Sequence, residues 1–249
     1  MLGIVIQARL GSKRLPNKML LPFHQGKGVL QLLIENLLEK FKDIPIIIAT
    51  TVNSCDDKII TLCLKYKITY FRGSEDNVLE RFIEIGDKFR LTKIIRICAD
   101  NPFLSMNYLE VLIEKFNKSD ADYLSFQTSN NIPVVKTHYG FWAEGVLLTA
   151  LKKIQENTNK NIYLEHVTNF IYENLDDFKL EFYSIDYFIE ENSSIRMTLD
   201  TFHDYILLKE IYRQFVLLEL NTLNSLIRLV SSNKDWLERM NIQILNNTK

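Results

Sequence analysis

Cysteine is scarce in this 249-residue chain: Cys55, Cys63 and Cys98 are odd in number and show no C-x-x-C spacing. That pattern supports neither a disulfide framework nor a cysteine-based zinc site, and buried or half-buried free thiols in a reducing compartment are expected. Net charge is nearly absent as well, 30 Lys and Arg standing against 31 Asp and Glu for a total of −1, which argues against a general nucleic-acid binder. No apolar run reaches bilayer-spanning length, and Met1-Leu2-Gly3 enters a strand-like stretch with no basic n-region or cleavage site. A cytoplasmic protein without a membrane partner is therefore expected. The four histidines, His24, His138, His166 and His203, are scattered. The chain has no G-x-G-x-x-G after its first apolar run, no G-x-x-x-x-G-K-[ST], no G-x-S-x-G and no H-E-x-x-H. Dinucleotide, P-loop, serine-hydrolase and zinc-hydrolase chemistries therefore lack their signatures.

What is present is an ordinary soluble composition, 47% hydrophobic and 24% charged, in a length that suits one α/β domain over residues 1–249. Leu2–Ala8, Pro45–Thr50, Ile68–Phe71 and Lys93–Cys98 read as buried strands. Helical spacing fills the intervals at Val29–Phe41, from Asp56 and Asp57 to Tyr66, from Glu75-Asp76-Asn77 to Phe89, and from about Met106 to Phe116. Such alternation calls for a parallel sheet with helices on both faces. The second half is less regular. Ala121–Phe126 and Lys179–Ile185 read as strands, Ser129–Pro133 as a turn, and Tyr139-Gly140-Phe141-Trp142 suits an extended aromatic arm. Helices are expected near Leu147–Gln155, over Ile162–Asn174, from about Asp204 to Phe215 and from Leu223 to Val230. A strand at Ile195–Leu199 should end at Asp200, and the Asn-rich final dozen residues should fray.

Chemistry concentrates at carboxyl ends of the expected strands, where open α/β sheets place ligands. Directly after the first strand, Arg9-Leu10-Gly11-Ser12-Lys13-Arg14-Leu15-Pro16-Asn17-Lys18 packs four cations among turn formers. It is either a solvated basic turn or an anion site. In the second reading Gly11 lets the backbone approach, Ser12 offers a hydroxyl and an N–H, and Arg9, Arg14 and Lys18 neutralise phosphate charge. Asp100, in Arg96-Ile97-Cys98-Ala99-Asp100-Asn101-Pro102, is placed either to hold a divalent cation beside substrate phosphates or to cap the next helix, though Ser105 lies closer to that start. Asp200, in Arg196-Met197-Thr198-Leu199-Asp200-Thr201-Phe202-His203-Asp204-Tyr205, is its candidate partner. In Gly73-Ser74-Glu75-Asp76-Asn77-Val78-Leu79-Glu80-Arg81-Phe82, Asp76 and Arg81 either read a nucleotide or acceptor, or belong to a capped helix start. His166, in Leu164-Glu165-His166-Val167-Thr168, reads as a hydrogen-bonded core or interface residue rather than a catalyst.

These motifs resemble the cytidylyltransferases that make CMP-activated acidic sugars, above all the spore-coat-polysaccharide branch, whose opening is I-x-Q-A-R-M-G-S-T-R-L-P-G-K. Leu10, Lys13 and Asn17 depart from that pattern. The first is volume-conserving, and Asn tolerates the left-handed region. Ala99 replaces the Gly of R-x-x-G-D-x-P, and Phe202 and His203 replace the Pro and Glu of L-D-T-P-E-D-Y, with Asp204 left to cap a helix. The resemblance runs from Ile4 to about Tyr212. It implies a Rossmann-like, three-layer α/β/α nucleotidyltransferase with a mostly parallel sheet. A small dimerisation and acceptor excursion is expected over about residues 120–161, offering Lys136, His138, Tyr139 and Trp142.

The implied reaction joins a sugar hydroxyl to the α-phosphate of CTP and releases pyrophosphate, in a homodimer. It implies Ala8, Arg9, Gly11, Ser12, Arg14, Lys18, Asp76 and Arg81 as nucleotide-binding residues. Arg9, Lys18, Asp100 and Asp200 would be catalytic, the two aspartates holding Mg²⁺. Alternatives are another NTP:sugar nucleotidyltransferase, a nucleotide-sugar glycosyltransferase or a degenerate nucleotide-binding module. The only D-x-D-like triplet weighed for the glycosyltransferase, Asp120-Ala121-Asp122, precedes a strand rather than following one.

Overall fold

Ile4, Val5 and Ile6 are all fully buried, as are Ile48 and Ala49, so the central strands have no wet face. Ile4, Ile6 and Ile48 point into one apolar layer while Val5, Ile47 and Ala49 point into another. Helices therefore have to cover both sides. The computed structural model describes residues 1–247 and places seven strands in one sheet. They are β1 (Leu2–Gln7), β2 (Ile46–Thr51), β3 (Thr69–Gly73), β4 (Lys93–Cys98), β5 (Tyr123–Gln127), β6 (Glu144–Leu147) and β7 (Leu180–Ser184), in the order β3-β2-β1-β4-β6-β5-β7. The pairs β1–β2, β1–β4, β2–β3 and β5–β7 are parallel; β6 runs antiparallel to both β4 and β5.

The first-half helices α1 (Val29–Lys40), α2 (Asp57–Tyr66), α3 (Val78–Lys88) and α4 (Met106–Lys118) match the spacing of their apolar residues. Asn77 caps α3 by accepting from Glu80 N–H, and Ser105 caps α4 by accepting from Tyr108 N–H. Asp100 is thereby left free of a capping role. The remaining helices are α5 (Leu148–Asn157), α6 (Asn161–Glu165), α7 (Asn169–Glu173), α8 (Tyr187–Glu190), α9 (Phe202–Leu217), α10 (Leu223–Ser231) and α11 (Lys234–Asn246). Asp204 and Thr201 form the expected cap on α9, a reciprocal capping box. Among the described residues no helix is long and apolar enough to cross a membrane.

Several expectations for the second half are corrected. The aromatic stretch is no arm: Tyr139, Phe141 and Trp142 are 4%, 0% and 8% exposed and join the core against Tyr108 and Phe126. Within 120–161, β5 and β6 are interior strands of the main sheet, so these two strands of the expected excursion belong to the core architecture. The helix expected over 162–174 is broken into α6 and α7 at His166-Val167-Thr168. The break buries Val167 and Thr168 and lets the Thr168 hydroxyl donate to Glu144. The segment before Asp200 forms no ladder strand; it is extended chain tied by Met197 N–H to the His138 carbonyl and Leu199 N–H to the Asp100 carbonyl. The expected frayed end is α11 as far as Asn246, held by buried Trp236 and Met240 and by Gln243, which accepts from the Thr201 hydroxyl. The last two residues lie outside those described.

Candidate active site

The basic loop sorts its residues by polarity. Leu10, Leu15 and Met19 are buried, and their insertion turns Arg9, Lys13, Arg14 and Lys18 toward a cleft of about 990 Å³ at the carboxyl ends of β1 and β4. The root of the loop is fixed by Asp56, a fully buried carboxylate that accepts from Leu10 N–H at 2.7 Å, Thr50 Oγ1 at 3.1 Å and Thr51 N–H at 3.2 Å. In the sequence Asp56 looks like an ordinary first-turn acid of a helix, and nothing local marks it as buried. Asn17 has φ +58°, the left-handed conformation that asparagine tolerates, and donates back to the Leu10 carbonyl. A Cβ at Gly11 would stand 2.8 Å from Glu75 Oε1, the mobile end of a side chain that lines the same cleft. The Ser12 N–H is spent within the loop on the Leu10 carbonyl, and Ser12 Oγ accepts from Leu15 N–H. Among the described residues the N–H groups of Gly11, Lys13 and Arg14 have no protein partner, leaving them as donors to an anion.

At the far end of the loop Lys18 joins the two aspartates. Its ammonium donates to Asp100 Oδ2 at 2.8 Å, to the Leu199 carbonyl at 2.7 Å and to Asp200 Oδ1 at 3.3 Å. Two oxygens that share one ammonium lie far inside the ~10 Å span that an ion and its waters could bridge. Burial works to lower the Lys18 pKa, but Asp100 and then Asp200 outweigh it and hold it above the usual lysine value. The other Asp200 oxygen accepts from Arg196 NH2 at 3.0 Å, and Arg14 NH2 approaches Oδ1 at 3.2 Å. Arg196 is itself buried and held by Asp204 at 2.8 Å. Its spacing of four from Asp200 and eight from Asp204 was visible in the sequence and is the signal by which it could have been found.

Arg9 reaches the Glu75 carbonyl at 3.3 Å and Glu165 Oε1 at 3.0 Å, spanning the cleft. Asp76 is exposed and lines the cleft, as does His166, which is exposed and so is not the core residue that was one of its two expected roles. Two of the expected nucleotide-binding residues do not line the cleft. Ala8 is buried with its N–H on the Ala49 carbonyl, and Arg81 is fully buried behind β2, where NH1 reaches the Ala49 carbonyl at 3.4 Å. Arg81 Nε and NH2 have no partner among the described residues. Burial, with Arg9 repelling it, pulls the Arg81 pKa down to about 10.

A second polar cluster lines the cleft on the β6 side. Antiparallel register sets Arg96 of β4 opposite Glu144 of β6, and the two form a buried ion pair. Glu144 also accepts from Tyr123 OH at 2.6 Å, Tyr172 OH at 2.9 Å and Thr168 Oγ1, while Arg96 NH2 donates to Gln7 Oε1 at 2.9 Å. Burial, reinforced by the Glu144 charge, pushes both phenols well above their usual pKa, so they remain donors. Glu144 was missed; a lone acid between Ala143 and Gly145-Val146 was its only sequence trace.

Asp100 and Asp200 suit a hard divalent cation that completes its shell with phosphate oxygens. Among the described residues no group of three or more His, Cys, Asp or Glu gathers in metal-binding geometry, so the pair would form only part of a coordination shell. A parallel-centred α/β sheet, a cationic loop after β1 and paired carboxylates past β4 and before α9 are the layout of a nucleotidyltransferase. The sequence profile of the cytidylyltransferase family matches residues 3–247, and the chain belongs to that family of CTP-dependent nucleotidyltransferases. It is 36% identical to the Methanocaldococcus jannaschii protein MJ1063 over 217 residues, 87% of this chain and 85% of that one. It is 30% identical to the spore coat polysaccharide biosynthesis protein SpsF of Bacillus subtilis over 218 residues, 84% of this chain and 85% of the relative. A solved cytidylyltransferase from Leptospira borgpetersenii superposes with a TM-score of 0.81 at 25% identity, covering 95% of this chain and 96% of the other.

Proposed function

We propose that the enzyme activates a sugar for surface-polysaccharide synthesis, an acidic sugar in the first instance, by transferring CMP from CTP and releasing pyrophosphate. The observation that carries this reading is the convergence of Lys18, Asp100 and Asp200 beside the basic loop. Nucleotidyl transfer needs an aligned nucleophile and neutralised charge more than covalent assistance. Arg9, Arg14 and Lys18 bind the triphosphate, and the free N–H groups of Gly11, Lys13 and Arg14 cradle it. Asp100 and Asp200 would hold Mg²⁺, which when bound polarises phosphate oxygens and lowers the pKa of a coordinated hydroxyl. Arg196 and Asp204 keep Asp200 oriented. The likeness to SpsF supports the polysaccharide assignment.

The test is pyrophosphate release from each of the four NTPs, with Mg²⁺, against a panel of acidic and neutral sugars. Release with CTP and an acidic sugar is the expected outcome; release with another NTP alone, or with no sugar in the panel, rejects the reading. The homodimer implied by the family resemblance belongs to the same proposal. Light scattering that returns the 29.3 kDa of one chain would reject it.

A further inference from the structure

The carboxylates assigned to the metal are already occupied. All three protons of the Lys18 ammonium are used, on Asp100 Oδ2, the Leu199 carbonyl and Asp200 Oδ1, and the side chain is only 11% exposed. Asp200 divides its oxygens between two kinds of cation. Oδ2 faces Arg196, which is 1% exposed and also locked to Asp204. Oδ1 faces Lys18 at 3.3 Å and Arg14 at 3.2 Å, and both of these cations line the open cleft. A divalent ion bonded at ~2.1 Å to Asp100 and Asp200 would need the space, the lone pairs and the negative charge that Lys18 now takes. The frame around the pair does not depend on Lys18: Leu199 N–H donates to the Asp100 carbonyl at 2.9 Å, and Asp200 N–H to Asp204 Oδ2 at 3.1 Å.

We propose that Lys18 is an exchangeable counter-ion that occupies the divalent-cation position in the ligand-free enzyme, so that metal enters with or after the nucleotide and not before it. The inference rests on the nucleotidyltransferase reading above and extends it to the order of loading. A triphosphate arriving on the basic loop draws Lys18 and Arg14 onto its own oxygens, which vacates Asp100 Oδ2 and Asp200 Oδ1 together. Arg196 stays behind as the fixed positioning cation, so Asp200 keeps its orientation while the mobile partners leave. The enzyme thereby avoids holding a bare divalent ion in a site with no substrate.

The test uses Mn²⁺ alone, with no nucleotide or sugar, so its outcome is separate from whether CTP is the substrate. Binding is read by the loss of free-ion EPR signal. The wild-type chain should bind Mn²⁺ weakly. Lys18→Gln should bind it at least ~10-fold more tightly, the effect of removing a unit charge a few ångströms from the ion. Adding Asp100→Asn to that variant should abolish the gain. Equal or weaker binding by Lys18→Gln overturns the proposal. Should that variant fail to fold, lysine acylation of the wild-type chain followed by mass spectrometry gives an independent readout. Lys18 should stay protected at Mn²⁺ concentrations below the weak wild-type dissociation constant and become reactive only where Mn²⁺ saturates the site; reactivity that saturating Mn²⁺ leaves unchanged, or protection already lost at low Mn²⁺, overturns the exchange.

Discussion

Arg96–Glu144 and Lys18–Asp100–Asp200 both pair cations with carboxylates on the walls of one cleft, yet they solve different problems. Arg96 and Glu144 are 9% and 4% exposed, and Tyr123, Tyr172 and Thr168 donate to Glu144 while Arg96 donates to Gln7. Protein groups satisfy most of this cluster, and among the described residues Arg96 Nε is left without a partner. Asp100 is 29% exposed, accepts through one oxygen from a lysine, and lies beside a loop with spare N–H donors. One set of charges is built to stay and the other to change partners. The difference comes less from residue type than from how completely the surrounding elements finish the hydrogen bonding. A cluster completed by β4, β5, β6 and α7 supports the wall, whereas one left incomplete at a sheet rim is available to a ligand.

The contrast is broken most severely at Glu144. Replacing it by Gln strips the buried Arg96 of its counter-charge, and the loss of one partner of a buried pair costs about 3–5 kcal/mol. Urea and thermal melts should show that loss. A change within the error of the melts would mean that the cluster contributes no more than a surface pair. The opposite signature is expected at the rim. Asp100→Asn and Asp200→Asn should each cut turnover by ~10²-fold or more, because metal stabilisation of transition-state charge is worth several kcal/mol. The double variant should be little worse than the poorer single one, since the two act as a unit. Their melting temperatures should fall only slightly, as each change removes one partner of Lys18 and leaves the other in place.

A smaller effect sharpens the comparison at the cations. Arg9→Ala and Lys18→Gln should each weaken CTP binding by ~1.5–3 kcal/mol, the scale of hydrogen bonds to charged groups, as titration calorimetry would show. Unchanged affinity in both would return the loop to a solvated basic turn. The smallest effect is expected at Arg81, which belongs to neither cluster. Its guanidinium is buried with Nε and NH2 unpartnered among the described residues, and its pKa is depressed to about 10, so at neutral pH a charge is carried at a cost. Arg81→Met keeps the length without the charge and should alter stability by less than ~1 kcal/mol or raise it. A loss of several kcal/mol would show that the Arg81 charge has a partner the geometry does not reveal.

The first half of the fold was legible because most of its strands are short apolar runs and α3 and α4 carry side-chain caps, so local pattern and global position agree there. Lys93–Cys98 was placed to the residue, and Ser105 and Asn77 cap where their type and spacing suggested. The second half was harder because tertiary contacts override local pattern there. Phe141 and Trp142 look like an exposed aromatic arm until α4 and β5 are packed against them. The 162–174 segment has helical periodicity throughout, but Thr168 gives up the helix for Glu144. At the site, Lys18, Asp100 and Asp200 were identified by their places beyond apolar runs. Ala8 and Arg81 were not separable from true lining residues, since a motif does not say which side of a strand a residue faces. Asp56, Arg196 and Glu144 act through buried contacts, which leave little trace in a sequence.

On the proposed function the basic loop and the two aspartates form a triphosphate site that distinguishes its base. Thermal melts with saturating CTP, UTP, ATP and GTP in Mg²⁺ address this directly, because a ligand that binds only the folded state raises the melting temperature by mass action. The largest shift is expected for CTP, and that shift should be much reduced in Lys18→Gln. Equal shifts for all four nucleotides, or a CTP shift that Lys18→Gln leaves intact, would contradict the proposed function.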